Sequence, residues 1–300
     1  MIEKALGVNY FDKGKLPISI CKVNKKLGIS HDYDLTETLH YHDFTEIIII
    51  IKGSSSHLVE DNEYFVSAGD IFVLQGYQSH AFKDAKDLEI VNVMFDTKAD
   101  AKMLDISTFK TIPGYNALFI LEPQYRKNHH FNHLLRLNRS DLAKIEFVIN
   151  TMFLEQKSKE LGYEIVIKNK LEELIVYLSR AYSNLKSREA ISLIRIGSVI
   201  EHLENNFCDE INLEQLANMC HMSLRNFQRV FKKATGQSPI DFLIHIRLQK
   251  SKLLLRESDL QITDIAYRSG FNEYNYYSRK FKKSMGVTPL KYRMRFKPVC

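Results

Sequence analysis

Nothing in this chain of 300 residues is apolar for long enough to cross a bilayer: the longest purely aliphatic run is Ile47–Ile51. A membrane-spanning helix needs about 20 consecutive apolar residues. The start, Met1-Ile2-Glu3-Lys4, carries no apolar segment of the kind a secretory signal requires. Cysteines are few, and Cys21, Cys208, Cys220 and Cys300 form no C-x-x-C pair. That spacing argues against a disulfide scaffold or a zinc ribbon and fits a reducing, cytoplasmic compartment. A phosphate-binding glycine loop, a nucleophile beside a base and a paired-carboxylate site are all missing as well, so no enzyme is expected.

The composition is that of a folded protein, with 45% apolar and 26% charged residues. At about 100–200 residues per domain, two domains and a connecting segment fit the length. The formal charge of +6 is uneven. Residues 191–300 hold 18 Lys and Arg against 10 Asp and Glu, which leaves residues 1–190 at a net −2. A basic C-terminal third suggests a polyanionic partner.

The pattern divides the chain into 1–138, 139–188 and 189–300, an α+β class overall. The first part carries short β-branched and aromatic stretches, Glu46–Lys52, Ser56–Val59, Tyr64–Val66 and Asp70–Leu74. Turn residues Gly53, Asp61-Asn62 and Ala68-Gly69 separate them, which predicts an all-β barrel or sandwich. In the second part Leu142, Ile145, Val148, Ile149 and Met152 recur at helical spacing, as do Leu171, Leu174, Ile175 and Leu178. Ser140 or Asp141 is expected to cap the first of these helices, and Gly162 to break the pair. Their apolar faces suit packing either on the first domain or on a second subunit.

The third part contains an internal repeat. Phe231-Lys232-Lys233-Ala234-Thr235-Gly236-Gln237-Ser238-Pro239 matches Phe281-Lys282-Lys283-Ser284-Met285-Gly286-Val287-Thr288-Pro289 at an offset of 50, and Leu216-Ala217 matches Ile265-Ala266 at 49. Each copy reads as helix, short turn, helix. Asn212 with Gln215 resembles a capping box, Ser223 caps the next helix, and Gly270 suits the second turn. Leu224, Phe227 and Phe231 share an inner face, while Arg225, Gln228, Arg229 and Lys232 share the opposite one. In the second copy Tyr277 and Phe281 face inward, and Asn275, Ser278, Arg279 and Lys282 face outward. Arg pairs with guanine, and Gln or Asn with adenine, in a major groove. Lys232, Lys233, Lys280, Lys282 and Lys283 suit phosphates, which set affinity more than sequence. Ile240–Arg256 reads as one helix of about 25 Å at about 1.5 Å per residue. With its flanking helices it could set the two polar faces about one DNA turn, ~34 Å, apart.

Ile262–Phe271, Tyr276–Lys283 and Gly286–Arg293 resemble the signature of the AraC/XylS family of bacterial transcription regulators. The resemblance covers about 100 residues. It implies base contacts from Arg225, Gln228 and Arg229 in one module and from Asn275, Ser278 and Arg279 in the other. It also implies structural roles for Phe271, Pro289 and Tyr292, and activation through contact with RNA polymerase. Tyr276-Tyr277 stands where the family more often has Tyr-Phe.

His40-Tyr41-His42-Asp43-Phe44-Thr45-Glu46 followed by Gly53 fits the cupin pattern H-x-H-x3-E-x6-G, and Gly69 with His80 fits the outer positions of its second motif. Gln75 and Tyr77 depart from that motif, where proline and glycine are usual. Residues 40, 42 and 46 share parity, so one extended strand would point them to one face, with His80 converging from another strand. His40, His42, Glu46 and His80 are candidates to bind a divalent metal, to contact a small effector, or to form a structural hydrogen-bond cluster. The other histidines, His31, His57, His129, His130, His133, His202, His221 and His245, form no ligand spacing. Leu39–Phe95, with Phe131–Leu137 and Leu178–Tyr182, is most similar to the rhamnose-operon activators of the family, which implies a sugar-binding barrel. The expected function is therefore an effector-responsive, sequence-specific activator of carbohydrate-utilisation genes. It would bind double-stranded DNA and a small molecule as a homodimer away from membranes. The alternative is a metal-dependent cupin enzyme with a helical appendage.

Overall fold

The computed structural model describes residues 2–24, 33, 37–96, 104, 106–128 and 135–296. His31, His129, His130, the stretch 131–134 and Cys300 lie outside the described residues. Internal contacts divide the chain into two units, Met1–Gly197 and Ser198–Cys300.

The first unit is built on an eight-stranded sheet: β1 (Glu3–Ala5), β2 (Ile18–Asn24), β3 (His40–His42), β4 (Thr45–Val59), β5 (Asn62–Ser67), β6 (Asp70–Leu74), β7 (His80–Phe95) and β8 (Leu135–Arg136). The pairing path runs β1-β3-β7-β4-β6-β8, with β2 on β7 and β5 on β4. Of the expected barrel or sandwich the sheet forms no closed barrel: the path ends on β1 and β8, which do not pair with each other among the described residues. Two long strands carry the sheet. Strand β4 pairs with β5, β6 and β7, so it is central over much of its length. That position explains its aliphatic run: Ile47, Ile48, Ile49 and Ile50 are all fully buried, as a strand covered on both faces demands.

Gly53 does not end a strand, contrary to the expected turn. The chain runs through it as one 15-residue strand. The pairing with β7 shifts register between Ile50 and Lys52, Lys52 and Ser54, and Ser54 and Ser56. Gly53 sits in this irregularity at φ +79°, where an added Cβ would lie 2.3 Å from the Asp87 carbonyl oxygen. Glycine relieves both constraints and lets the sheet bend.

Short helices α1 (Ile106–Phe109) and α2 (Pro113–Tyr115) follow, then a π-helical turn, Asn116–Leu121, and α3 (Glu122–Asn128). Next come α4 (Arg139–Ser158), α5 (Tyr163–Ser183) and α6 (Arg188–Asn205). The cap of α4 is Asn138, whose side chain accepts from Asp141 N–H, in place of the expected Ser140 or Asp141. Gly162 does separate α4 from α5, at φ +88°. The Gln156 side chain accepts from Ile20 N–H at 2.7 Å and donates to Ile20 C=O at 3.0 Å. It thereby satisfies backbone groups that an edge strand would leave open.

The second unit contains α7 (Leu213–Met219), α8 (Leu224–Thr235), α9 (Pro239–Glu257), α10 (Ile262–Arg268), α11 (Tyr274–Met285) and α12 (Pro289–Phe296). The single helix expected between the repeats is present as the 19-residue α9. Phe242 near its start packs edge-on to Phe231 at 5.5 Å. Further along, Ile244, Leu248 and Leu255 join Ile265, Ala266, Phe271, Tyr277 and Phe281 in one apolar cluster. One helix thus carries parts of both modules' cores.

Gly270 makes the second turn at φ +84°, and a Cβ there would lie 2.5 Å from Phe207 C=O. We expect Gly270→Ala to lower the unfolding free energy by about 1–3 kcal/mol, the cost of forcing a side chain into left-handed backbone. Urea denaturation followed by circular dichroism reads this directly, and an unchanged midpoint would refute it.

Candidate functional site

In α8 the Ser223 hydroxyl accepts from Asn226 N–H at 3.4 Å and starts the helix. Phe227 and Phe231 are fully buried, while Arg225, Gln228, Arg229 and Lys232 are exposed on the opposite face. In α11 Tyr277 and Phe281 are fully buried, Asn275, Arg279 and Lys282 are exposed, and Ser278 is half-buried. The two inner faces are near copies. The Phe227 and Phe231 rings stand 5.6 Å apart at 63°, and the Tyr277 and Phe281 rings 5.6 Å apart at 62°. The sequence repeat is therefore also a repeat of packing geometry.

Neither helix contains an Asp or Glu, and each carries four cations: Arg225, Arg229, Lys232 and Lys233 in α8, and Arg279, Lys280, Lys282 and Lys283 in α11. Cations concentrated on a helix that carries no carboxylate produce a positive field suited to phosphates. One contact was not read from the sequence. Asn226 accepts from Arg229 Nη2 at 2.8 Å across one helical turn. It restrains the guanidinium that is expected to read a base, and its i, i+3 spacing was the signal available.

The first unit holds a second polar assembly. His40, His42, Glu46 and His80 are all fully buried. His40, His42 and Glu46 do not share one strand as expected, because His40 and His42 lie on β3 and Glu46 on β4, while His80 converges from another strand, β7. Asp43 and Phe44 form a bend between β3 and β4, and the fold still brings the side chains together. His42 Nε2 lies 3.1 Å from Glu46 Oε2, and His80 Nε2 lies 3.6 Å from the same oxygen. Ligand atoms of His42, Glu46 and His80 fall within 4.8 Å of one another. His40 is outside this group, although its ring centroid is 4.2 Å from that of His80. Its Nδ1 is 3.0 Å from Thr38 C=O.

The donor set fits a cation. His42 Nδ1 is 3.1 Å from Phe44 C=O, and a carbonyl can only accept, so Nδ1 carries the hydrogen. In the neutral ring this leaves the Nε2 lone pair aimed at a carboxylate oxygen. Two acceptors at 3.1 Å need an electrophile between them, a proton or a metal ion. His57, set aside in the sequence, belongs here too. It is fully buried, with Nε2 3.3 Å from His80 Nδ1, and it stacks on Phe82 at 4.2 Å. Its β4 position opposite β7 was the signal, and only the fold reveals that pairing.

A buried ion pair that the sequence did not suggest lies on the far side of Phe72. His57 meets the Phe72 ring edge-on at 4.5 Å, and Arg126 Cζ lies 4.5 Å from the same centroid. Arg126 is fully buried and pairs with Glu122 one turn earlier on α3. Burial pulls the guanidinium down to about 10. It still holds its proton at neutral pH.

Two family descriptions match the chain: a helix-turn-helix domain over residues 216–295 and an AraC-like ligand binding domain over residues 27–142. The chain is 29% identical over 291 residues to the HTH-type transcriptional activator RhaS of Enterobacter sp. (strain 638), covering 96% of this chain and 95% of that one. It is 28% identical over 250 residues to the activator of the same name in Escherichia coli O1:K1, covering 83% and 85%. Among solved structures, the DNA-binding domain of AdpA in complex with a target DNA is 28% identical, with 34% of this chain and 92% of that one covered and a TM-score of 0.33. The C-terminal domain of AraT from Geobacillus stearothermophilus is 32% identical, covering 35% and 88%, with a TM-score of 0.33.

Proposed function

We infer that this chain, a member of the AraC family of helix-turn-helix transcription regulators, is an effector-responsive activator of carbohydrate-utilisation genes that acts in the cytoplasm. The observation that carries the reading is the duplicated helix with an aromatic inner face and a cationic outer face. On this reading Arg225, Gln228, Arg229, Asn275, Ser278 and Arg279 meet bases, and Lys232 and Lys282 meet phosphates. The family is one of transcription regulators and not of enzymes, so we assign no catalytic residue. No helix among the described residues is long and apolar enough to cross a membrane. The test is selection of genomic fragments by the full chain, followed by a gel shift across a salt series. A sequence-specific regulator retains a few fragments with a steep salt dependence, whereas equal retention of all fragments would refute specificity.

The segment 139–188 is proposed to form the homodimer contact. Phe147 and Leu154, seven residues apart on α4, are 71% and 64% exposed, and such a spacing makes one apolar stripe. We expect Phe147→Glu to weaken self-association at least tenfold, since a carboxylate would have to be desolvated in the interface. Sedimentation equilibrium measures this, and an unaltered dimer constant removes the segment from the interface. Contact with RNA polymerase is proposed from the family resemblance alone.

We propose further that His42, Glu46 and His80 hold one divalent ion. Two imidazoles and a carboxylate suit zinc, iron or nickel. Such an ion would cross-link β3, β4 and β7. The chain purified without chelator should carry about one ion per protomer, and His42→Ala should lose it. Full retention of the ion in that variant excludes this ligand set.

A further inference from the structure

The turn between β6 and β7, residues 75–79, leads directly into His80. Within it Tyr77 N–H donates to His42 C=O at 2.6 Å. The turn is thus attached to one ion-site residue through its backbone and to another, His80, by the chain itself. Tyr77 holds φ +72°, a left-handed conformation that a tyrosine keeps only where its surroundings fix it. Gln75 N–H donates to Gln78 Oε1 at 2.9 Å and closes the turn on itself.

The same two glutamines hold residues 113–128, a strap that runs from α2 through the π-helical turn to α3. Gln75 Nε2 donates to Phe119 C=O, and Gln78 Nε2 to Pro123 C=O at 2.9 Å. Both acceptors are backbone carbonyls, so the amides fix the path of the strap itself. On its other side the strap holds α6. Asn116 is fully buried, and its Nδ2 donates to Gly197 C=O at 3.1 Å. Glycine permits that approach, since a Cβ at Gly197 would lie 2.8 Å from the Pro113 carbonyl oxygen. Gly197 is the last residue of the first unit, and α6 runs on to Asn205 in the second. The π-helical turn carries Asn116 and Phe119, one from each attachment. Such turns are often retained at functional positions.

A continuous run of hydrogen bonds therefore leads from His42 and His80 to α6. It carries coupling only if the ion favours one arrangement of the run over another. An ion supplies that preference, because it joins β3, β4 and the start of β7 beside the turn. Ordering the turn and the strap on ion binding also spares that cost when DNA binds, so the two events assist each other.

We propose that the ion held by His42, Glu46 and His80 is a co-effector, which acts through the 75–79 turn and the strap to raise the affinity of the chain for DNA. The proposal rests on the ion site and on the DNA-binding reading above.

The test takes the full chain, strips it with chelator and reloads it with zinc. Zinc alone should slow amide exchange over residues 113–128 and 188–197, read by mass spectrometry. In gel shifts with a fragment that the chain selects, zinc should tighten binding at least about fivefold, and by linkage the fragment should tighten zinc binding by the same factor. His42→Ala should lose the ion and the response together. Gln78→Leu and Asn116→Leu, on opposite sides of the strap, should each keep the ion and still select DNA. In both, zinc should change DNA affinity less than about twofold, since the coupling is gone. Zinc that binds without protecting the strap overturns the proposal, and so does a full zinc response in both amide variants. Independent zinc and DNA affinities also overturn it, and leave the ion site and the regulator standing. A chain that holds no zinc sinks the ion site with the proposal but not the regulator. One that holds zinc yet selects no DNA sinks the regulator with the proposal but not the ion site.

Discussion

Replacing Arg229 and Arg279 together by alanine should weaken operator binding by about 2–6 kcal/mol, the sum of two bidentate base contacts at about 1–3 kcal/mol each. That is roughly thirtyfold at the low end and above ten-thousandfold at the high end, at about 1.4 kcal/mol per decade. The two arginines lie on separate modules and are both exposed, so additivity is the expectation and folding should be unaffected. Each lies two residues from a buried aromatic anchor on the opposite face of its helix, Phe231 for Arg229 and Tyr277 for Arg279. The guanidiniums therefore sit on backbone that packing holds in place. The salt response separates their role from that of the lysines. Lys232→Ala and Lys282→Ala should each reduce the slope of log affinity on log salt by about one while leaving the preferred sequence intact. The arginine variants should relax the preference itself. Competition between operator and scrambled DNA in a gel shift measures both. Wild-type discrimination in the double arginine variant would remove these two residues from the reading surface.

The legibility of the molecule differs between its halves for a physical reason. The helix-turn-helix pair is built from contacts close in sequence, and i, i+3, i+4 and i+7 spacing reports them directly. The caps at Asn212 and Ser223 and the turn at Gly270 all appear in the structure where the sequence places them. The sheet is built from distant pairings, and a strand's identity does not reveal its partners. Gly53 was legible as a break in pattern but not as a bulge, because the strand opposite it, β7, decides which of the two it is. The histidines were legible as a cluster from their spacing. The departure of His40 and the arrival of His57 were not, since both follow from how β7 lies across β3 and β4. Arg126 and Glu122 look in the sequence like any i, i+4 pair on an exposed helix. Only the helix's position between the sheet and Tyr182 turns them into buried charges.

That burial sets the second large effect. Glu122→Ala should destabilise the first unit by about 3–5 kcal/mol, because it leaves the Arg126 charge buried with no counterion. Such a loss is comparable to the whole stability of a marginal domain, about 5–15 kcal/mol. The paired change Glu122→Leu with Arg126→Met should behave very differently. It removes both charges together and replaces them with apolar volume beside Phe72 and Tyr64, so stability should be unchanged or should rise by about 1–4 kcal/mol. The contrast separates the worth of the pair from the cost of breaking it. The pH dependence follows from the lowered guanidinium value of about 10. Because the folded value lies below the unfolded one, the burial penalty is fully present at neutral pH and eases only above about pH 10. Denaturant unfolding at pH 7 and pH 9 should therefore show the same gap between the parent and the doubly apolar variant. If Glu122→Ala proves as stable as the parent, Arg126 has water or another partner at hand.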